Sequence, residues 1–138
     1  MTQEEKDLLL KDLCGRVPYR VKCKYDDRLI VNTLSVDFFW EKIEGYERYV
    51  NCTRKYDIEN IKPYLFPLSS MNEEQKKTLK VMCDWNDEEA DAQSILVLYQ
   101  KHFVMKTDVI DWLNENHFDY RGLIEKGLAI DATGLNIY

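Results

Sequence analysis

Apolar positions along this chain change their spacing several times, and each change marks a different kind of element. In "TQEEKDLLLKDLCG", Leu9, Leu10 and Leu13 recur at helical spacing, with Leu8 widening the stripe. Thr2, followed three residues later by Glu5, forms a capping box in which hydroxyl and carboxylate each take an orphan N–H. Gly15 falls where a left-handed cap would end the helix, and Pro18 forbids its continuation. The spacing predicts a first helix over 3–14. The period then shortens to two: Val21, Cys23 and Tyr25 alternate with Arg20, Lys22 and Lys24, the mark of a half-buried strand. Asp26-Asp27 can turn the chain tightly, and "RLIVNTLSV" returns as a second strand. "FFWEKI" and "YERYVNC", parted by Glu44-Gly45, read as a second hairpin of aromatic and β-branched residues. Residues 20–52 therefore predict an antiparallel meander of three or four strands, curling towards an SH3-like partial barrel.

"IKPYLFPLSSM" carries prolines at 63 and 67, each fixing its own φ and pushing its predecessor out of the helical region. Its apolar residues predict a strap that packs across the sheet. Asn72 and Gln75 form a second capping pair, opening a helix through Leu79, Met82 and Cys83. "DWNDEEAD" breaks that helix and starts another, and "SILVLYQKHFV" fits a buried helix or an edge strand equally well. Thr107 or Asp108 caps a helix bearing Val109, Ile110, Trp112 and Leu113. "FDYRGLIEKG" fits a short last helix, with Asp119 as its N-cap, Gly127 as its left-handed stop and Leu128 in the apolar position beyond. Phe118, Tyr120, Leu123 and Ile124 are spaced to pack inward. The fold class predicted is α+β: a small antiparallel sheet flanked by an N-terminal helix and a C-terminal helical part. It is expected to form one domain over 1–138, made of a helix and sheet (1–60), the strap (61–71) and a mostly helical part (72–138).

Composition agrees with a globular domain, at 45% hydrophobic and 32% charged residues among 138. No apolar run reaches the roughly 20 residues that span a bilayer. The start is acidic, without the basic region of a signal peptide, so a cytoplasmic location is expected. Four cysteines lie without a close pair, which predicts buried free thiols rather than a zinc site or a disulfide framework. The net charge of −6 is uneven: residues 1–62 hold 12 basic and 12 acidic side chains, and 63–138 hold 7 and 13. An acidic half is a poor footprint for nucleic acid.

Four groupings of side chains could carry chemistry. An EF-hand calcium loop starting at Asp84 would need glycine at 89 and glutamate at 95, where the chain has Glu89 and Ile95. The acidic run reads instead as a helix start. Arg20, Lys22 and Lys24 on one strand face are the best candidates for nucleic-acid contact, with the solvated outer face of a sheet as the plainer reading. Only His102 and His117 could serve a Cys–His or Ser–His pair, and neither sits in a recognisable catalytic setting. With five glycines and no phosphate-binding loop, no cofactor, no metal and no catalytic residue is expected. "HFDYRG" brings together His117, Asp119, Tyr120 and Arg121, and is read as a structural anchor first and an interaction surface second. Trp40 and Tyr46 on the sheet form a second candidate patch.

"LLLKDLCGRVPYRVKC", "IKPYLFPLSSMNEEQ" and "WLNENHFDYRGLIEKGLAIDATGLNIY" together resemble an uncharacterised family of small proteins from gut Bacteroidales and their phages and prophages. The resemblance rests on a K-P-Y-L-x-P-x-S-S-M strap and an F-D-Y-R-G-L-I-x-x-G-L-A ending. It covers both ends and the centre of the chain, and is weakest over 29–52 and 84–105. It implies an accessory protein of mobile elements that binds a host or phage macromolecule, and it carries no catalytic role onto any residue. With aromatics at 12%, the residues favour a non-enzymatic protein-binding module, with nucleic-acid binding through Arg20, Lys22 and Lys24 as the alternative.

Overall fold

The structure, a computed structural model, describes residues 1–25, 31–33, 58–85, 90–102 and 106–138. Its elements are α1 (Gln3–Arg16), β1 (Lys22–Tyr25), β2 (Val31–Thr33), β3 (Ile61–Pro67), α2 (Glu73–Met82), α3 (Ala92–His102), α4 (Thr107–Glu115), β4 (Phe118–Asp119) and β5 (Ile130–Asp131). The fold is α+β, as expected. The Asp26-Asp27 turn, the second hairpin and the barrel curl that depended on it lie outside the described residues.

The capping box at the start of α1 is formed. Glu5 N–H donates to Thr2 Oγ1 at 3.2 Å, and Thr2 N–H donates to the Glu5 carboxylate at 2.8 Å. The helix then runs past its expected stop. Gly15 stays helical, and a Cβ there would lie 3.5 Å from Asn114 Nδ2, so this glycine marks where α1 and α4 approach closely. The left-handed residue is instead Arg20 (φ 57), which turns the chain into β1 after the short 3-10 turn Val17–Tyr19. Because 3.5 Å is an ordinary contact, Gly15→Ala should raise stability by about 0.5–1 kcal/mol through helix propensity alone. A urea midpoint that moves down instead would show that the two helices cannot accommodate the methyl group.

The inward stripe of α1 also differs from the expected one. Leu9, Asp12, Leu13 and Arg16 are buried, whereas Leu10 is 38% exposed. Two charged residues thus occupy the second and last places of a stripe that spacing alone assigns to leucines.

In β1 the alternation is as expected, with Val21, Cys23 and Tyr25 buried and Lys22 and Lys24 partly exposed. β1 lies between β2 and β3 and is antiparallel to both. The expected strap is in fact β3, a strand inside the sheet. Its far side takes β5 and β4 in parallel, pairing Tyr64 with Ile130 and Phe66 with Phe118. The sheet is therefore mixed, not purely antiparallel. Proline lacks a ladder donor, but here Pro63 and Pro67 flank the stretch Tyr64–Leu65–Phe66 rather than interrupt it, and the far edge is engaged from Tyr64 onwards.

The second capping pair holds, with Gln75 N–H donating to Asn72 Oδ1 at 2.8 Å. α2 ends with Asp84 left-handed (φ 52) and Trp85 N–H reaching Lys80 O at 2.8 Å. Asp91, the last residue of the acidic run, opens α3 by accepting from Ser94 N–H at 2.7 Å; residues 86–89 of the run lie outside the described residues. The ambiguous "SILVLYQKH" is helical because Ala92, Ile95, Leu96 and Tyr99 form one inward stripe. Thr107 is already the first residue of α4. Lys106 holds the cap position without a side-chain bond, so neither Thr107 nor Asp108 is the cap.

Two cores result. One joins Leu9 and Leu13 of α1 to Val21, Cys23, Ile61 and Leu65 of the sheet. The other joins Leu79, Ile95, Tyr99, Val109 and Leu113 of the helices to Leu68 and Met71. β3 and the residues after it pass from one core to the other.

Candidate functional site

The stretch from His117 to Leu128 is not the expected helix. Phe118 and Asp119 are held extended by pairing with β3, and Gly122 (φ 71) breaks the helical backbone before a turn can build on them. Asp119 still caps: its buried carboxylate accepts from Leu123 N–H at 2.9 Å and from Ile124 N–H at 2.8 Å. Gly127 still stops the turn left-handed (φ 71), with Leu128 N–H bonded to Leu123 O at 2.9 Å. The stretch is one capped turn that stitches the cores together. Phe118 enters the helical core, while Leu123 and Leu128 enter the core beneath the sheet.

Beside this turn lies a buried polar cluster centred on α1. Arg16 and Asp12 are both fully buried, and Arg16 Nε donates to Asp12 Oδ2 at 2.7 Å. Arg16 Nη2 donates to Phe118 O at 2.7 Å, tying α1 to β4. Arg121 Nε approaches Asp12 Oδ1 at 3.3 Å. The Tyr120 ring packs against both guanidiniums, its centroid 5.3 Å from Arg16 Cζ and 4.9 Å from Arg121 Cζ. The Tyr120 hydroxyl donates to Asn114 Oδ1 at 3.0 Å. One carboxylate thus holds two guanidiniums, a geometry that fixes Arg121 and Tyr120 in place.

Sequence reasoning named Tyr120 and Arg121 but missed Asp12 and Arg16. The available signal was their spacing of four on the same face as Leu9 and Leu13, because a charge inside an apolar stripe needs a buried partner.

His117 closes α4 in the left-handed conformation (φ 60). Its ring stacks on Tyr138 with centroids 3.8 Å apart and planes 13° apart. Burial, and then the charges of Arg16 and Lys22, push its pKa down to about 4. A neutral imidazole at this position is too weak a base for acid–base work near pH 7. Desolvation also pushes up the thiols of Cys14, Cys23 and Cys83, away from the thiolate a nucleophile requires. Cys14 is exposed, contrary to the expectation of buried thiols; Cys23 and Cys83 are buried. No group of residues suited to a metal occurs among the described residues.

The basic triad is not one strand face. Arg20 precedes β1, and Lys22 is engaged with the last residues of the sequence, its Nζ donating to Ile137 O at 2.5 Å. Lys24 stays partly exposed within β1. Trp40 and Tyr46 lie outside the described residues. Family models, curated proteins and solved structures gave no match. No helix among the described residues is long and apolar enough to cross a membrane.

A further surface feature among the described residues is α3. Its inward stripe is apolar, and its outer half carries two exposed apolar side chains as well, Val97 (51% exposed) and Leu98 (39%). At 100° per residue they flank an outward strip that contains Ser94 and Lys101. Val81 on the neighbouring α2 is 76% exposed.

Proposed function

We propose that this chain is a non-enzymatic protein-binding module, a cytoplasmic accessory protein of phage or mobile-element origin, that presents the outer face of α3 to a host or phage protein. The carrying observation is that α3, besides its buried apolar stripe, exposes two consecutive apolar side chains, Val97 and Leu98, on its outer face. Val97 and Leu98 add nothing to the packing of the inner stripe, and with Ser94 and Lys101 between them they give a mixed apolar and polar face of the kind a protein partner covers. The inward commitment of His117, Asp119, Tyr120 and Arg121 supports placing recognition here rather than on those residues. The raised thiols and the neutral His117 support a binding role over a catalytic one.

The test is Val97→Asp/Leu98→Asp. Both side chains are exposed, so the melting temperature should stay within a few degrees of wild type. A host protein captured by the wild type, and verified by reciprocal pull-down, should be lost. Retention of that partner by the folded variant would overturn the assignment of α3.

A further inference from the structure

The register of β1 and β3 shows an unusual use of Tyr138. Cys23 faces Pro63, Lys24 faces Lys62 and Tyr25 faces Ile61, so the next rung would bring Lys22 opposite Tyr64. A phenol bridges these two residues instead. Lys22 N–H donates to Tyr138 Oη at 3.0 Å, and Tyr138 Oη–H donates to Tyr64 O at 2.7 Å. Tyr138 as a residue is 43% exposed, but partial burial of its hydroxyl between the strands pushes the phenol's pKa up, so it keeps the proton that it donates. The ring is held by His117 at 3.8 Å, by Phe66 at 5.8 Å and by the Lys22 ammonium at 5.7 Å.

The chain leading to this ring is loosely attached. Residues 133–136 are all exposed, Leu135 is half exposed, and the left-handed Gly134 (φ 75) and Asn136 (φ 51) flank it. Beyond the short turn at Leu135, the segment is fastened by Ile137 O on the Lys22 ammonium and by Tyr138.

We propose that residues 133–138 form a latch, with Tyr138 seated between β1 and β3, that is closed while His117 is neutral and opens when His117 takes up a proton. The groups facing His117 give the direction. From α1 comes Arg16, whose own counter-charge Asp12 is shared with Arg121; from β1 comes Lys22; from the latch comes the neutral phenol, stacked on the imidazole. Protonation adds a third cation to this group. It also leaves buried Nδ1, which finds no hydrogen-bond partner among the described residues, with an unsatisfied N–H.

The pH window follows from the sign of the shift. A histidine whose pKa is pushed below its ordinary 6.5 disfavours proton uptake in the closed state. Closure is complete above about pH 6.5 and weakens progressively as pH falls towards 4. Opening also frees the Lys22 ammonium beside Arg20 and Lys24.

Linkage supplies the test, because a latch that opposes proton uptake must itself be opposed by the proton to the same extent. The His117 ring midpoint is followed by proton NMR, with His102→Gln assigning the two histidines. In the wild type it should lie near 4. In Tyr138→Ala it should rise by about one unit or more, equivalent to a tenfold loss of closure on protonation. A midpoint unmoved in folded Tyr138→Ala would overturn the proposal.

Where Tyr138→Ala fails to fold, hydrogen exchange at the Lys22 amide decides. Its protection, corrected for intrinsic rate, should fall between pH 6.5 and 4 in the wild type. It should become insensitive to pH in His117→Asn, a residue that tolerates the left-handed backbone. Equal acid sensitivity in both would also overturn it.

Discussion

Asp12→Ala is expected to cost about 3–5 kcal/mol, measured by urea denaturation at pH 7. The substitution leaves Arg16, which is fully buried, without its carboxylate, and deprives Arg121 of the same counter-charge. A domain of this size has roughly 5–15 kcal/mol in all, so the variant should be marginal. The loss comes from a stranded charge rather than from an absent contact, which sets a second expectation. Removing both members, as Asp12→Leu/Arg16→Met, should recover much of the stability lost in Asp12→Leu alone, since an apolar pair can replace a buried ion pair. A single-variant loss under about 1 kcal/mol would show that Arg16 finds another partner or reaches water.

Asp119→Ala is expected to cost roughly 3 kcal/mol. Hydrogen bonds to a charged acceptor contribute about 1.5–3 kcal/mol each, and this carboxylate takes two backbone N–H groups that have no other acceptor among the described residues. Asp119→Asn keeps one acceptor oxygen and should lose about half as much. The turn it caps delivers Leu123 and Leu128 to the sheet-side core, so limited proteolysis should cut within 120–128 faster in the alanine variant. Equal urea midpoints for wild type and Asp119→Ala would contradict this role.

What the sequence made readable was local. Both capping boxes involve partners three residues apart, and the alternation of β1 repeats every second residue, so no distant part of the chain is needed to see them. The left-handed stop at Gly127 and the capping role of Asp119 were visible for the same reason. Their helix was misread because β4 pairs with β3, some fifty residues earlier in the chain, and that pairing holds Phe118 and Asp119 extended.

The prolines in "IKPYLFP" suggested a segment outside the sheet, yet what matters is which edge is engaged at each residue, and that depends on β1, β4 and β5 together. Gly15 looked like a helix stop, yet α1 runs through it, and the neighbour it faces, Asn114, lies on the distant α4. Arg16 was the hardest to see. Its partner on its own helix is four residues away, but its bond to Phe118 O spans almost the whole chain. The segment 94–102, undecided between helix and strand, was settled by the core it faces, and its partly apolar outer side became the candidate binding face.

The most direct test of this division between clasp and face crosses two variants with two readouts, thermal midpoint and capture of the reciprocally verified partner. Tyr120→Phe removes the hydroxyl that holds buried Asn114 and should lower the midpoint by roughly 3 °C, from about 1 kcal/mol, while leaving capture intact. Val97→Asp/Leu98→Asp should leave the midpoint nearly unchanged and abolish capture. The reverse pattern, with capture lost in Tyr120→Phe and kept in Val97→Asp/Leu98→Asp, would contradict the account and return recognition to the residues between His117 and Arg121.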